Sequence, residues 1–160
     1  MPSKKKIPGS QKSIKQQLLS HCMAYVETHI EIIRSAIAEA QSAVTGETKN
    51  TAGDRYETER AMKQRETELF GKRLAESSKL QEQLQHIDIS RTYDTVQPGA
   101  LVTTSIGTFF IAISADELVI DNIEYDLISS ESPICQAMLS KKAGEAFSFR
   151  EKTVTISAVC

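Results

Sequence analysis

Asp54 and Glu57 stand three residues apart, just after the stretch Thr45-Gly46-Glu47-Thr48-Lys49-Asn50-Thr51-Ala52-Gly53. If a helix begins there, both carboxylates share one face of its first turn. Negative charge at that end meets the helix dipole favourably, so the pair serves as an ordinary helix start, with Thr51 or Asp54 as cap. Hard oxygen donors so placed also suit part of a hydrated Mg²⁺ shell, although two carboxylates alone would hold the ion weakly. A second acidic group, Asp116, Glu117, Asp121, Glu124 and Asp126, alternates with Leu118, Ile120, Ile123 and Tyr125. That alternation reads as the solvent side of strands and turns, with a cation site as the other option. Cys22, Cys135 and Cys160 together with His21, His29 and His86 contain the residue types of a thiol enzyme. A nucleophile and its base need one shared cleft, however, and Cys22, His21 and His29 fall in a long helical stretch.

The elements that must carry these residues differ along the chain. Residues 11–88 contain no Pro and only Gly46, Gly53 and Gly71, with many Gln, Glu, Lys, Arg and Ala, a composition that favours long helices. Leu19, Met23, Val26, Ile30, Ile33, Ile37, Ala40 and Val44 follow at alternating steps of four and three, the spacing of a coiled-coil seam. Such a stripe needs a partner, and the segment from about Asp54 to Ile87 supplies one by folding back. The expected element is an antiparallel helical hairpin over 11–88 with its tip near 45–57. Its second helix has a poorer stripe, through Met62, Leu69, Phe70, Leu80, Leu84 and Ile87, interrupted by Glu66, Arg73 and Ser77. A helix of ~35 residues is ~50 Å long, so much of this hairpin is expected to project into solvent. Arg55, Arg60, Lys63, Arg65, Lys72 and Arg73 make the second helix basic, which suits a solvated face or contact with RNA or an acidic channel.

The period changes after the turn Pro98-Gly99. Val102, Thr104, Phe109, Ile111, Ile113, Leu118, Ile120, Ile123 and Tyr125 lie in short β-branched or aromatic runs broken by Gly107, Asp116 and Asn122, as in antiparallel strands. Ser132 is a favoured N-cap and Pro133 a favoured first helical residue, so a short helix is expected there with Ile134, Ala137, Met138 and Leu139 on its apolar face. Lys141 and Lys142 near its end complement the dipole, and Phe147, Phe149, Val154, Ile156 and Val159 suggest a closing hairpin. The fold class is therefore α+β: a helical hairpin, then a small antiparallel sheet with one helix over 97–160.

Composition narrows the function classes. The 160 residues are 40% hydrophobic and 25% charged, as in an ordinary folded protein, and a net charge of −2 exerts no general pull on nucleic acid or an anionic membrane. Lys4-Lys5-Lys6, beside Pro2, Pro8 and Gly9, reads as a disordered basic tail over 1–10, and no apolar run is long enough for a signal peptide or membrane span. Three widely spaced cysteines fit reduced thiols in the cytoplasm better than disulfides or a zinc site.

Taken in order, these motifs resemble the bacterial Gre transcript-cleavage factors. The family's tip motif Gly-Asp-x-x-Glu stands here as Gly53-Asp54-Arg55-Tyr56-Glu57. Its C-terminal pattern stands as Ile128-Ser129-Ser130-Glu131-Ser132-Pro133, then Ala137-Met138-Leu139-Ser140-Lys141-Lys142 and Gly144-Glu145. The resemblance runs from about residue 14 to the end. It implies an FKBP-like C-terminal domain that docks at the rim of the RNA polymerase secondary channel through a surface that includes Ser132, Pro133, Lys141 and Lys142. It also implies a coiled coil whose Asp54 and Glu57 furnish ligands to a second, weakly held Mg²⁺ at the polymerase active centre. Such a protein is not itself an enzyme, meets nascent RNA only indirectly, and belongs with bacterial, cytoplasmic transcription elongation and DNA-binding functions. After Glu57 the family usually continues Asn-Ala-Glu-Tyr, where this chain has Thr58-Glu59-Arg60-Ala61. That departure leaves open a Gre-like polymerase regulator that does not stimulate cleavage, and a coiled-coil interaction module unrelated to polymerase is a further alternative.

Overall fold

A computed structural model describes the backbone of residues 8–46 and 53–160, with side chains for 11–42 and 57–160. Residues 1–7 of the expected basic tail, the Val44 side chain of the seam, the Thr51 cap and residues 47–52 of the expected tip lie outside the described residues, while residues 8–10, expected in the tail, already belong to the first helix. The elements are α1 (Pro8–Gly46), α2 (Gly53–Gln85), β1 (Leu101–Thr104), β2 (Gly107–Ala112), β3 (Ala115–Ile120), β4 (Ile123–Ser129), α3 (Pro133–Met138), β5 (Ala146–Phe149) and β6 (Lys152–Val159). The class is α+β, with a long helical region followed by a six-stranded, mostly antiparallel sheet and one short helix. The chain divides into two compact units, Met1–Ala24 with Gln83–Cys160, and Tyr25–Glu82.

In the unit built from Tyr25–Glu82, each helix turns one stripe away from water. On α1, Val26 and Ile30 are buried and Ile33, Ile37 and Ala40 are half-buried, which is the four-three spacing read from the sequence. On α2 the shielded stripe is Glu59, Lys63, Thr67, Phe70, Leu74, Ser77 and Gln81. Three of the expected apolar positions, Met62, Leu69 and Leu80, are exposed instead. The stripe was hidden because polar residues occupy most of it. Long side chains such as Glu59 and Lys63 can lay apolar stems in a seam with their heads in water, and the Thr67 hydroxyl donates to the Lys63 carbonyl at 2.9 Å.

In the other unit the strand order is β3-β4-β2-β1-β6-β5. All neighbours are antiparallel except β2 and β4, which pair in parallel from Thr108–Tyr125 to Ala112–Ser129. An all-antiparallel sheet was expected. The chain leaves β2, skips one place to lay down β3, and returns as β4 into the gap, so a two-strand hairpin can still enter the sheet beside a parallel neighbour. Register then sorts the side chains. Val102, Phe109 and Ile111 point to one face and join Cys135, Met138, Phe147, Val154 and Ile156 in the core beneath α3. Phe110, Tyr125 and Leu127 point to the opposite face and are also buried.

Sequence chemistry at the joints explains how the chain turns. The Ser132 hydroxyl accepts from the Cys135 amide at 3.4 Å and donates to the Ser129 carbonyl at 2.7 Å, with Pro133 opening α3. Gly99 adopts φ +92°, and a Cβ there would stand 3.0 Å from the Tyr93 hydroxyl. That hydroxyl donates to the Asp88 carbonyl at 3.1 Å, so the segment between α2 and β1 is tied down rather than slack. Further along, the Val96 amide donates to Lys141 O and the Ser140 amide to Val96 O, both at 2.9 Å, which adds a short antiparallel contact beside α3.

Burial along α1 generates a stability prediction. Leu18 is fully buried, whereas Ile32 is 62% exposed. Leu18→Ala is expected to cost about 2–5 kcal/mol in a urea unfolding titration, and Ile32→Ala less than ~0.5 kcal/mol. Ile30→Asp, which places a charge in a buried stripe, is expected to lower the helical melting transition strongly.

Candidate functional site

The first turn of α2 contains both tip residues of the sequence reading. Asp54 is the second residue of the helix and its side chain lies outside the described residues; Glu57, one turn on, is exposed. Asp54 therefore sits among the backbone N–H groups that have no intrahelical acceptor, and the dipole favours an anion at both positions. Glu59, two positions further, is half-buried. A spacing of three on a helix places Asp54 and Glu57 on neighbouring positions of one face, which suits two monodentate oxygen ligands to a hard cation.

The other four expected positions cluster around α3. Ser132 is committed to capping, with its hydroxyl bonded on both sides, so its contribution is to hold the turn rather than to offer a free donor. Pro133 is exposed at the start of the helix. Beyond its end, Lys141 is half-buried with its carbonyl bonded to Val96, and Lys142 is exposed with its amide donating to the Glu145 carboxylate at 2.6 Å. Ser132 and Pro133 thus start α3, whereas Lys141 and Lys142 belong to the segment that follows it.

Thiol chemistry finds no support in the geometry. Cys22 and Cys135 are buried and Cys160 partly so, and burial pushes the first two thiols up to about 11 and raises Cys160 as well. Two of the three histidines are occupied elsewhere. His21 Nε2–H donates to the Asp116 carbonyl at 3.1 Å, and His29 Nδ1–H donates to the Tyr25 carbonyl at 2.9 Å. A buried cation escaped the sequence reading. Lys15 is 2% exposed, with Nζ donating to the Arg91 carbonyl at 3.3 Å and lying 5.0 Å from the Tyr93 ring centre, and desolvation lowers its pKa. Only the i, i+3, i+4 relation of Lys15 to Leu18 and Leu19 would have pointed to it.

The acidic residues of β3 and β4 are brought closer than alternation alone suggests. Ligand atoms of Glu117, Glu124 and Asp126 all lie within 4.8 Å of one another, the one such group among the described residues. Pairing of Val119 with Glu124 and of Phe109 with Asp126 turns these two carboxylates to the Phe109 face, and an irregularity between Ala115 and Leu118 adds Glu117. Hydrogen bonding with Glu117 and then its charge raise the Glu124 pKa; burial and then Glu117 raise that of Asp126. Asp121 stands at the hairpin turn in a left-handed conformation with Asn122.

Comparisons with known proteins add little. No protein-family profile matches the chain, and no curated protein matches it by sequence. Among solved structures, that of the transcription factor Gfh1 is similar over 87% of this chain and 93% of that chain, at 14% identity and a TM-score of 0.31. At that score the likeness lends no weight to a fold or an activity.

The acidic group generates a pH prediction. A carboxylate whose pKa is raised by folding binds its proton more tightly in the native state, so its ionisation is a penalty present at neutral pH and absent below the ordinary carboxylate range. Glu117→Gln removes the repulsion on Glu124 and Asp126. Its urea midpoint is expected above that of the parent at pH 7, with the difference gone near about pH 4, where model carboxylates are half-protonated.

Proposed function

We propose that this chain is a Gre-like transcription elongation factor that binds bacterial RNA polymerase at its secondary channel. The observation that carries the reading is the order of motifs on the elements: Gly53-Asp54-x-x-Glu57 in the first turn of the second of two long helices, then Ser132-Pro133 opening the short helix of an α+β unit. In this reading the helical unit enters the channel with the α2 start foremost. The sheet unit, FKBP-like in its relationship, docks at the channel rim through Ser132, Pro133, Lys141 and Lys142. The factor acts in the cytoplasm and contacts nascent RNA only by way of the polymerase.

The finer proposal is stimulation of the polymerase's own cleavage of backtracked RNA. Carboxylates at i and i+3 at a helix start suit a hard divalent ion shared with another protein's carboxylates and too weakly held to travel with this chain alone. Mg²⁺ in that position supplies Lewis acidity to a phosphodiester and lowers the pKa of a water. Asp54 and Glu57 would hold their carboxylates toward that ion, and one of them would orient the attacking water. The hydrolytic site remains the polymerase's, and this chain completes it. A second reading, a channel-binding regulator without cleavage activity, is favoured by Thr58-Glu59-Arg60-Ala61, where the family carries a different continuation.

Stalled, backtracked elongation complexes separate the two. The intact protein is expected to accelerate Mg²⁺-dependent RNA cleavage, and Asp54→Ala or Glu57→Ala to remove most of the acceleration, about a hundredfold, while leaving polymerase affinity within about twofold. Acceleration that survives the double variant would exclude the carboxylate mechanism. Tight binding without acceleration by the intact protein would select the regulator.

A further inference from the structure

The sheet unit has a strongly asymmetric charge. From Thr92 to Ser140 there is no Lys, Arg or His, and the β3–β4 hairpin places Asp116, Glu117, Asp121, Glu124 and Asp126 at one end of the sheet. β3 is an edge strand: β4 flanks one side and, among the described residues, no strand flanks the other. His21 takes the Asp116 carbonyl, and among the described residues no further backbone bond from outside the sheet reaches residues 117–120. Apolar surface remains uncovered at the same place, with Val119 60% and Ile123 49% exposed. Beside it lies a groove of about 620 Å³ whose lining includes Phe109, Ile128, Asp116, Glu117 and Asp126.

An exposed strand edge normally invites pairing with any extended chain, and proteins guard such edges with charge or irregularity. Here the guard has one sign. Two copies of this edge would oppose carboxylate to carboxylate and repel, and an acidic strand would be refused for the same reason. A strand bearing Lys or Arg is instead attracted: its cationic side chains would meet Glu117, Glu124 and Asp126 on the Phe109 face, and its alternate apolar side chains would turn to the opposite face beside Leu118 and Ile120. The carboxylates already disfavour one another's ionisation, so cationic side chains would relieve repulsion as they bind.

We propose that β3 and its acidic groove form a docking site for an extended, alternating basic and apolar segment of a partner protein, which adds to the sheet as a seventh strand. Backbone pairing along residues 117–120 supplies the register, and Glu117, Glu124 and Asp126 select positive charge. The site lies on the β3–β4 side of the sheet and does not depend on the polymerase reading.

The test uses the full chain, a fluorescent Lys-Val-Lys-Val-Lys-Val peptide, the matching Glu-Val peptide, and a Lys-Val peptide N-methylated on alternate residues, which keeps charge but blocks one pairing edge. The Lys-Val peptide is expected to bind saturably at low salt and to weaken about tenfold between ~20 and ~300 mM salt. Its amide shift changes should fall within residues 115–126. The Glu117→Gln, Glu124→Gln double variant alters only exposed side chains and is expected to keep the parent amide spectrum while losing about tenfold in affinity. The N-methylated and Glu-Val peptides should not bind. Equal binding of the N-methylated peptide would overturn the proposal in favour of charge attraction alone. Micromolar displacement of the Lys-Val peptide by CaCl₂ or MnCl₂ would overturn it in favour of a divalent-cation site. Concentration-dependent self-association that excludes the peptide would overturn it in favour of a second copy of this chain.

Discussion

The central strand β2 is apolar on both faces, and that constraint organises the whole sheet unit. Phe109 and Ile111 point one way and Phe110 and Leu127 the other, and all four are buried. A sheet of this kind cannot leave either face to water, so it needs two covers. The first is α3, six residues long, whose Cys135 and Met138 close the core with Phe147, Val154 and Ile156. Burial of Leu18, Cys22 and Leu84 in the same unit marks the second, the ends of the long helices. The base of α1 is bonded directly to the start of β3, through His21 to the Asp116 carbonyl.

That arrangement gives α1 two jobs along one continuous sequence. Up to Ala24 its buried face is Lys15, Leu18, Leu19 and Cys22, and from Val26 onward its shielded stripe follows the four-three spacing of Val26, Ile30, Ile33, Ile37 and Ala40. The cost is a lysine driven into the interior, offset by a carbonyl and an aromatic face. α2 shows the opposite economy. Its stripe is largely polar, so this helix leans on the side-chain stems of Glu59 and Lys63 and on few apolar anchors, chiefly Phe70 and Leu74.

Much of this was legible in the sequence because local chemistry and tertiary role agree. The four-three spacing from Val26 to Ala40, the Ser132-Pro133 helix start and the Pro98-Gly99 turn all reappear. What was not legible depends on pairing between distant segments. Nothing within β2 or β4 distinguishes a parallel from an antiparallel neighbour, since a buried apolar run looks alike in both. The stripe of α2 was misjudged because hydrophobicity marked Met62, Leu69 and Leu80, whereas the half-buried positions are Lys63, Thr67 and Ser77. The β3–β4 acids read correctly as strand alternation, yet register alone brings Glu117, Glu124 and Asp126 into one group. For the α2 start, Glu57 is exposed as a tip ligand must be, and the roles of Asp54 and Glu57 rest on the motif and its helical placement.

The central claim is that the start of α2 works inside the polymerase secondary channel. A photo-reactive amino acid at position 57, irradiated in a complex with purified bacterial core RNA polymerase, tests it directly. The account predicts adducts to polymerase segments lining the channel close to the catalytic Mg²⁺, suppressed when an established channel-binding factor is added in excess. Adducts confined to the outer polymerase surface, or no adduct at concentrations that saturate binding, would contradict it.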